Sequence, residues 1–152
     1  MSAQAFSFFN QAKKYIGNGT ISLGSTTIDV HLMQSSSNFA TKTLSTYGSL
    51  TNEVASANNY TKSGKSLASV TWTSGASAGQ KRFNAAALVF SAVGGAISNV
   101  KAVALVARTG ASAKASANKL LCYASLTSAQ FGISQNNTLT LTPSGTGIFN
   151  LA

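Results

Sequence analysis

Short apolar runs, each cut off by Gly, Asn or Ser, recur from residue 20 to the end of the chain. That punctuation is what most limits the fold. Ile28-Asp29-Val30-His31-Leu32 alternates apolar and polar residues, the pattern of a half-buried strand. Residues 20–23 predict a short strand, and residues 67–73 alternate through Val70 and Trp72. Residues 82–91 and 97–108 predict longer strands around Gly94-Gly95. Residues 120–125, 138–142 and 148–151 complete the set. Asn136-Asn137 predicts a hairpin turn between 131–133 and 139–141, and Pro143 ends the second strand. Strands do not alternate with helices, which argues against a parallel α/β sheet. The expectation is a mainly β chain, an antiparallel β-sandwich or jelly roll with a short N-terminal α-helix.

The helix is predicted over residues 2–16. Phe6, Phe9 and Ile16 recur at helical spacing beside Ala5 and Ala12. Ser2 is its expected cap, Lys13 and Lys14 suit its last turn, and Gly17-Asn18-Gly19 stops it. Such an aromatic stripe either packs on its own domain or docks on a neighbouring subunit. The Gly-Asn-Gly hinge favours docking. The chain therefore reads as one domain, 1–152, with 1–17 a helix or docking arm and 20–152 the β domain. Its length is enough to bury roughly 70% of the unfolded surface without disulfide or metal.

Asp29 and Glu53 are the only acidic side chains, against eleven Lys and Arg and a formal charge of +9. Catalysis draws mostly on carboxylates, His and Cys. This chain offers two acids, His31 and Cys122, so no enzymatic activity, cofactor or metal is expected. Asp29 and His31 share a strand face, but isolated pairs of this kind are common. Gly64-Lys65-Ser66 lacks the upstream glycine of a phosphate loop and reads as a turn. Cys122 lies in an apolar run, which fits a buried thiol.

The cations are dispersed, with Lys13-Lys14 and Lys81-Arg82 the only adjacent pairs. Together with Lys101 and Arg108, and with Phe6, Phe9 and Ile16, they are the candidate interaction residues. Polarity comes mainly from Ser, Thr, Asn and Gln, which suits subunits that pack without desolvating ions. Residues 34–65 form a long polar excursion anchored at Tyr47, Leu50, Val54 and Tyr60. Glu53 within it is expected to fix the segment by accepting from backbone amides or pairing with a Lys. Tyr47, Tyr60 and Trp72 are expected to pack in the core, the alternative being a sugar-binding face. No run reaches the ~18 apolar residues of a membrane span.

The segments Tyr47-Gly48-Ser49-Leu50-Thr51-Asn52-Glu53-Val54, Asn59-Tyr60-Thr61 and Gly64-Lys65-Ser66-Leu67-Ala68 resemble a family of small tailed-bacteriophage virion proteins. The likeness continues through Phe83-Asn84-Ala85-Ala86, Val103-Ala104-Leu105-Val106, Leu139-Thr140-Leu141-Thr142 and Gly147-Ile148-Phe149-Asn150-Leu151. The Leu-Thr-Asn-Glu-Val and Gly-Lys-Ser-Leu-Ala segments are its most specific parts. Members of that family tend to be acidic after the Phe-Asn/Asp-Ala segment, whereas Ala86, Ala87 and Leu88 follow here.

The resemblance implies a virion structural protein, a decoration or cement protein on the head surface, made in the host cytoplasm. Its implied partners are the major capsid protein and copies of itself as a homo-oligomer. Nucleic acid is expected to bind only weakly and without sequence preference. The competing expectations are a tail-associated or receptor-binding protein and a basic nucleic-acid-binding coat.

Overall fold

A computed structural model describes residues 5–152. In chain order the elements are β1 (Ser7–Phe8), α1 (Ala12–Gly17), β2 (Ile28–Met33), a 3-10 turn (Tyr47–Ser49), β3 (Lys65–Ser66), β4 (Thr71–Ser74) and β5 (Lys81–Asn84). They continue with β6 (Leu88–Ser91), β7 (Ile97–Val100), β8 (Ala102–Ala107), β9 (Lys119–Ser125), β10 (Phe131–Ile133), β11 (Thr138–Leu141) and β12 (Phe149–Leu151). The fold is mainly β, sandwich-like and antiparallel, with one short helix.

A five-stranded sheet, ordered β1-β9-β8-β2-β3, is the frame. On one of its faces Ile28, Val30 and Leu32 of β2 stand beside Ala107, Leu105 and Val103 of β8. This face meets three smaller sheets, β7–β10, β6–β11 and β12-β5-β4, in one apolar cluster. Phe83 stacks on Phe149 at 4.9 Å between centroids, and Phe149 meets Phe8 edge-on at 4.7 Å. Aromatic pairs of this geometry add to the burial of their area. On the opposite face, Met33, Ala102 and Ala104 form a second, smaller cluster with Phe39 from the excursion. β2 and β8 are therefore buried along their whole length. The expectation of a half-buried strand at 28–32 is corrected on this point. Residues 34–64 cover the face that alternation assigns to solvent.

The N-terminal expectation also changes. The helix spans Ala12–Gly17 only, and Ser2, its expected cap, lies outside the described residues. Ser7 and Phe8 pair with Tyr123 and Cys122, and the Phe9 amide donates to the Leu121 carbonyl at 3.2 Å. β9 would otherwise present an open edge, and closing it outweighs the local helical spacing. Phe9 is fully buried, while Phe6 and Ile16 are half-buried against the same core. The stripe is used by this domain and is not an arm held out for a neighbour.

Four further expectations change. Residues 131–133 and 138–141 are strands but not a hairpin: β10 pairs with β7, and β11 with β6. Residues 82–91 break into β5 and β6 at Ala85-Ala86-Ala87, and 97–108 divides into β7 and β8 at Lys101. The amides of Lys101 and Leu126 donate to Met33 and Lys101 carbonyls, so the chain turns there between sheets. Residues 20–23 form no strand, although Ile21 and Leu23 are buried.

Because Phe9 fills the core, Phe9→Ala should cost about 3–5 kcal/mol in urea unfolding. Deletion of residues 1–17 should leave a chain without cooperative unfolding by circular dichroism.

Candidate functional site

The two acidic side chains stand on the same side of the main sheet, the face covered by the excursion, and both lie inside the protein. Asp29 is fully buried and Glu53 is 8% exposed. Each lies where its charge meets dedicated donors, as a buried carboxylate requires.

Glu53 approaches β2 through an isolated bridge to Met33, while the Val54 amide donates to the Leu32 carbonyl at 2.9 Å. Its Oε1 accepts from His31 Nδ1 at 3.0 Å and from the Tyr60 hydroxyl at 2.7 Å. Its Oε2 accepts from the Tyr47 hydroxyl at 2.6 Å. The carboxylate only accepts, so the proton of that His31 contact sits on Nδ1. The Tyr60 oxygen in turn accepts the Leu32 amide at 2.9 Å, satisfying a β2 donor beyond the reach of two-residue β3. Tyr47 also lies 2.8 Å from the Lys62 carbonyl, so its single proton is shared between two acceptors.

Burial, reinforced by the Glu53 charge, pushes the Tyr60 phenol far above its ordinary value. Burial and the Glu53 hydrogen bond raise Tyr47 likewise. Both remain donors at any ordinary pH. The Tyr47 and His31 rings lie 4.7 Å apart. The turn at Gly64 closes over them with φ +63°, where a Cβ would stand 2.5 Å from the Val30 carbonyl oxygen. That position requires glycine. His31 Nε2 is buried and has no hydrogen-bond partner among the described residues.

Asp29 is held separately. Arg108 reaches it bidentately, Nε to Oδ2 at 2.9 Å and Nη2 to Oδ1 at 2.6 Å, and Ser66 Oγ donates to Oδ1 at 2.7 Å. The Asp29 hydrogen bond holds the Arg108 guanidinium firmly protonated. The group joins β2, β3 and the end of β8. Asp29 and His31 do share a strand face but serve different partners. They do not form a dyad, and Glu53 pairs with His31 and two tyrosines instead of a Lys.

Of the eleven Lys and Arg, only Arg108 meets a carboxylate side chain among the described residues. The others face solvent, backbone oxygens or an uncharged side chain, as Lys119 does with its ammonium 5.4 Å from the Tyr15 ring centroid. Lys65 Nζ reaches the Val89 carbonyl at 2.7 Å and Lys101 Nζ the Thr127 carbonyl at 2.7 Å. Arg82 Nη1 reaches the Gly145 carbonyl at 3.3 Å. Lys81 contacts Ser74, and Lys13 and Lys14 on α1 are exposed. The candidate cations thus form no single site. Lys13 and Lys14 lie on the helix, Lys81 and Arg82 on β5, and Lys101 at the β7–β8 junction.

Tyr47, Tyr60 and Trp72 form no sugar-binding face. Tyr60 is buried, Tyr47 is engaged with Glu53, and Trp72 packs half-buried on the core from β4. Cys122 is buried, which raises its thiol well above the ordinary range. Sequence reading missed Asn118. It is fully buried and gathers the 109–118 loop, accepting the Gly110 amide and donating to the Ser112 and Ala113 carbonyls. A lone Asn in a Ser- and Ala-rich loop is the only signal available beforehand. An apolar cavity of about 110 Å³ lies on the other side of the sheet, among Phe6, Val30, Leu88, Leu105 and Ile148, with no titratable lining. No group of three or more His, Cys, Asp or Glu is placed to hold a metal among the described residues.

No protein-family profile, curated protein or solved structure matches the chain.

Tyr60→Phe strands the buried Leu32 amide and should cost about 1–3 kcal/mol in urea unfolding. The raised Tyr60 and Tyr47 phenols set a pH dependence. Unfolded tyrosine ionises near pH ~10, whereas the folded phenols hold their protons to higher pH. The unfolded state thus binds fewer protons above that point, so stability is fully present below it and falls as pH rises further. Tyr60→Phe should flatten this alkaline loss relative to the native chain.

Proposed function

We propose that the protein is a structural component of a tailed-phage virion, a head decoration or cement protein that works by adhesion. The observation that carries this reading is the withdrawal of both acidic side chains into the interior. The charged side chains left on the exterior are cations, set among hydroxyls, amides and the exposed Val89 and Val93. Such a surface attracts an acidic shell and has no carboxylate side chain exposed to repel it. The resemblance supplies the virion context, and its most specific segment carries Glu53, the staple of the excursion. Partners are then the major capsid protein and copies of itself, the copies meeting through uncharged polar surface. The candidate cations Lys13, Lys14, Lys81, Arg82 and Lys101 supply the attraction, whereas Arg108 is committed to Asp29.

A basic exterior also suits nucleic acid, and binding measurements separate the two. Cosedimentation with empty shells of the major capsid protein should show saturable binding at physiological salt. Binding to duplex DNA should be weak and should fall linearly in log salt. Submicromolar binding to DNA, with none to shells, would replace the cement reading by that of a nucleic-acid coat.

A further inference from the structure

β4 is the outer strand of the β12-β5-β4 sheet. Its register on β5 pairs Thr71 with Asn84, Trp72 with Phe83, Thr73 with Arg82 and Ser74 with Lys81. The Gly75 amide donates to the Gln80 carbonyl, and antiparallel pairs alternate, so Thr73 and Thr71 bond inward to β5. The Phe83 carbonyl confirms this phase, because it accepts the Ile148 amide on the β12 side. The backbone groups of Trp72 and Ser74 therefore point away from the sheet. Among the described residues no other backbone group bonds to them.

Apart from its four-residue length, this edge lacks the usual protections of an open strand. Thr71–Ser74 contains no charge, proline or glycine, and its ladder to β5 is unbroken by a bulge. The one guard is Lys81, which reaches across from β5 to Ser74 Oγ at 3.4 Å. An ammonium at the rim attracts a carboxylate and repels another cation. A second copy laid on this edge brings its own Lys81 and has no exposed acidic side chain to meet it. An extended segment bearing carboxylates gains both the ladder and the charge pair.

We propose that the β4 edge, with Lys81 at its rim, is a docking site for an acidic extended strand of another protein, added by strand pairing. The proposal rests on the adhesion reading and names the surface through which an acidic partner is held.

Trp72 is the single tryptophan, so its fluorescence reports binding at this strand. The probe is an acetylated eight-residue peptide of alternating glutamate and threonine. It should shift Trp72 emission and slow hydrogen exchange at the Trp72 and Ser74 amides, while the lysine–threonine peptide should do neither. Ser74→Pro removes an outward donor without touching the β5 ladder and should weaken binding roughly tenfold or more. Lys81→Glu should do the same, through the rim charge alone. Lys114→Glu makes the same change of charge in the 109–118 loop and should stay within about twofold of the native chain. Circular dichroism checks that each variant is folded.

Native-strength binding by either Ser74→Pro or Lys81→Glu would overturn the proposal. So would an equal loss in Lys114→Glu, or the same amide protection produced by a DNA oligonucleotide. Shells that bind Ser74→Pro as well as the native chain would refute the edge and leave the virion reading standing. Peptide binding at the edge without shell binding would do the reverse.

Discussion

The Glu53 carboxylate accepts from His31, Tyr47 and Tyr60, and the covering of one whole face of the main sheet depends on that convergence. The excursion over residues 34–64 has little regular structure, and it is tied down at intervals by buried Phe39, Val54 and Tyr60 and by backbone bonds at Ser45, Tyr47, Gly48 and Asn58. Its polar anchor is the point where a charged acceptor meets three donors in a water-poor setting, where each such bond is stronger than a neutral one. The same point satisfies β2. Its Leu32 amide has no neighbouring strand and uses the Tyr60 oxygen instead. Removing Glu53 would therefore loosen the cover and leave His31 Nδ1 and the Tyr60 proton without their acceptor, while Tyr47 falls back on the Lys62 carbonyl.

Spending both carboxylates inside has a consequence at the surface. Asp29 locks Arg108, Glu53 locks the excursion, and the remaining Lys and Arg face a solvent boundary without side-chain counter-ions. Most proteins intersperse charges of both signs on the surface. Here interior stability and exterior charge are set by the same two residues. On the proposed reading, such a surface disfavours contacts between cation-bearing patches of two copies and favours an acidic partner. The β4 edge shows the principle on a small scale, since a backbone open to pairing is gated by one ammonium.

Legibility followed range along the chain. The alternation at 28–32 and the apolar runs within 97–108 and 120–125 mark strands because side-chain period is a local property. Which strands pair is not local. The Asn136 turn is real, with φ +65°, yet the strands beside it run to β7 and β6. Phe6, Phe9 and Ile16 sit at helical spacing, but a tertiary demand, the open edge of β9, overrides it. Glu53 stands out as one of two acids, and Tyr47 and Tyr60 flank it as anchors of the excursion. Their convergence on one carboxylate needs the excursion folded onto β2, which no spacing rule encodes. His31 was visible as the polar neighbour of Asp29 and takes its partner from another segment.

Native-state hydrogen exchange on Glu53→Gln against the native chain tests the central claim most directly. The account predicts that the variant loses protection at the Leu32 and Val54 amides and through residues 34–64. The β8–β9 and β6–β11 ladders should keep theirs at low denaturant. Unchanged protection at Leu32 and Val54 would contradict the staple, and so would a uniform loss across every sheet.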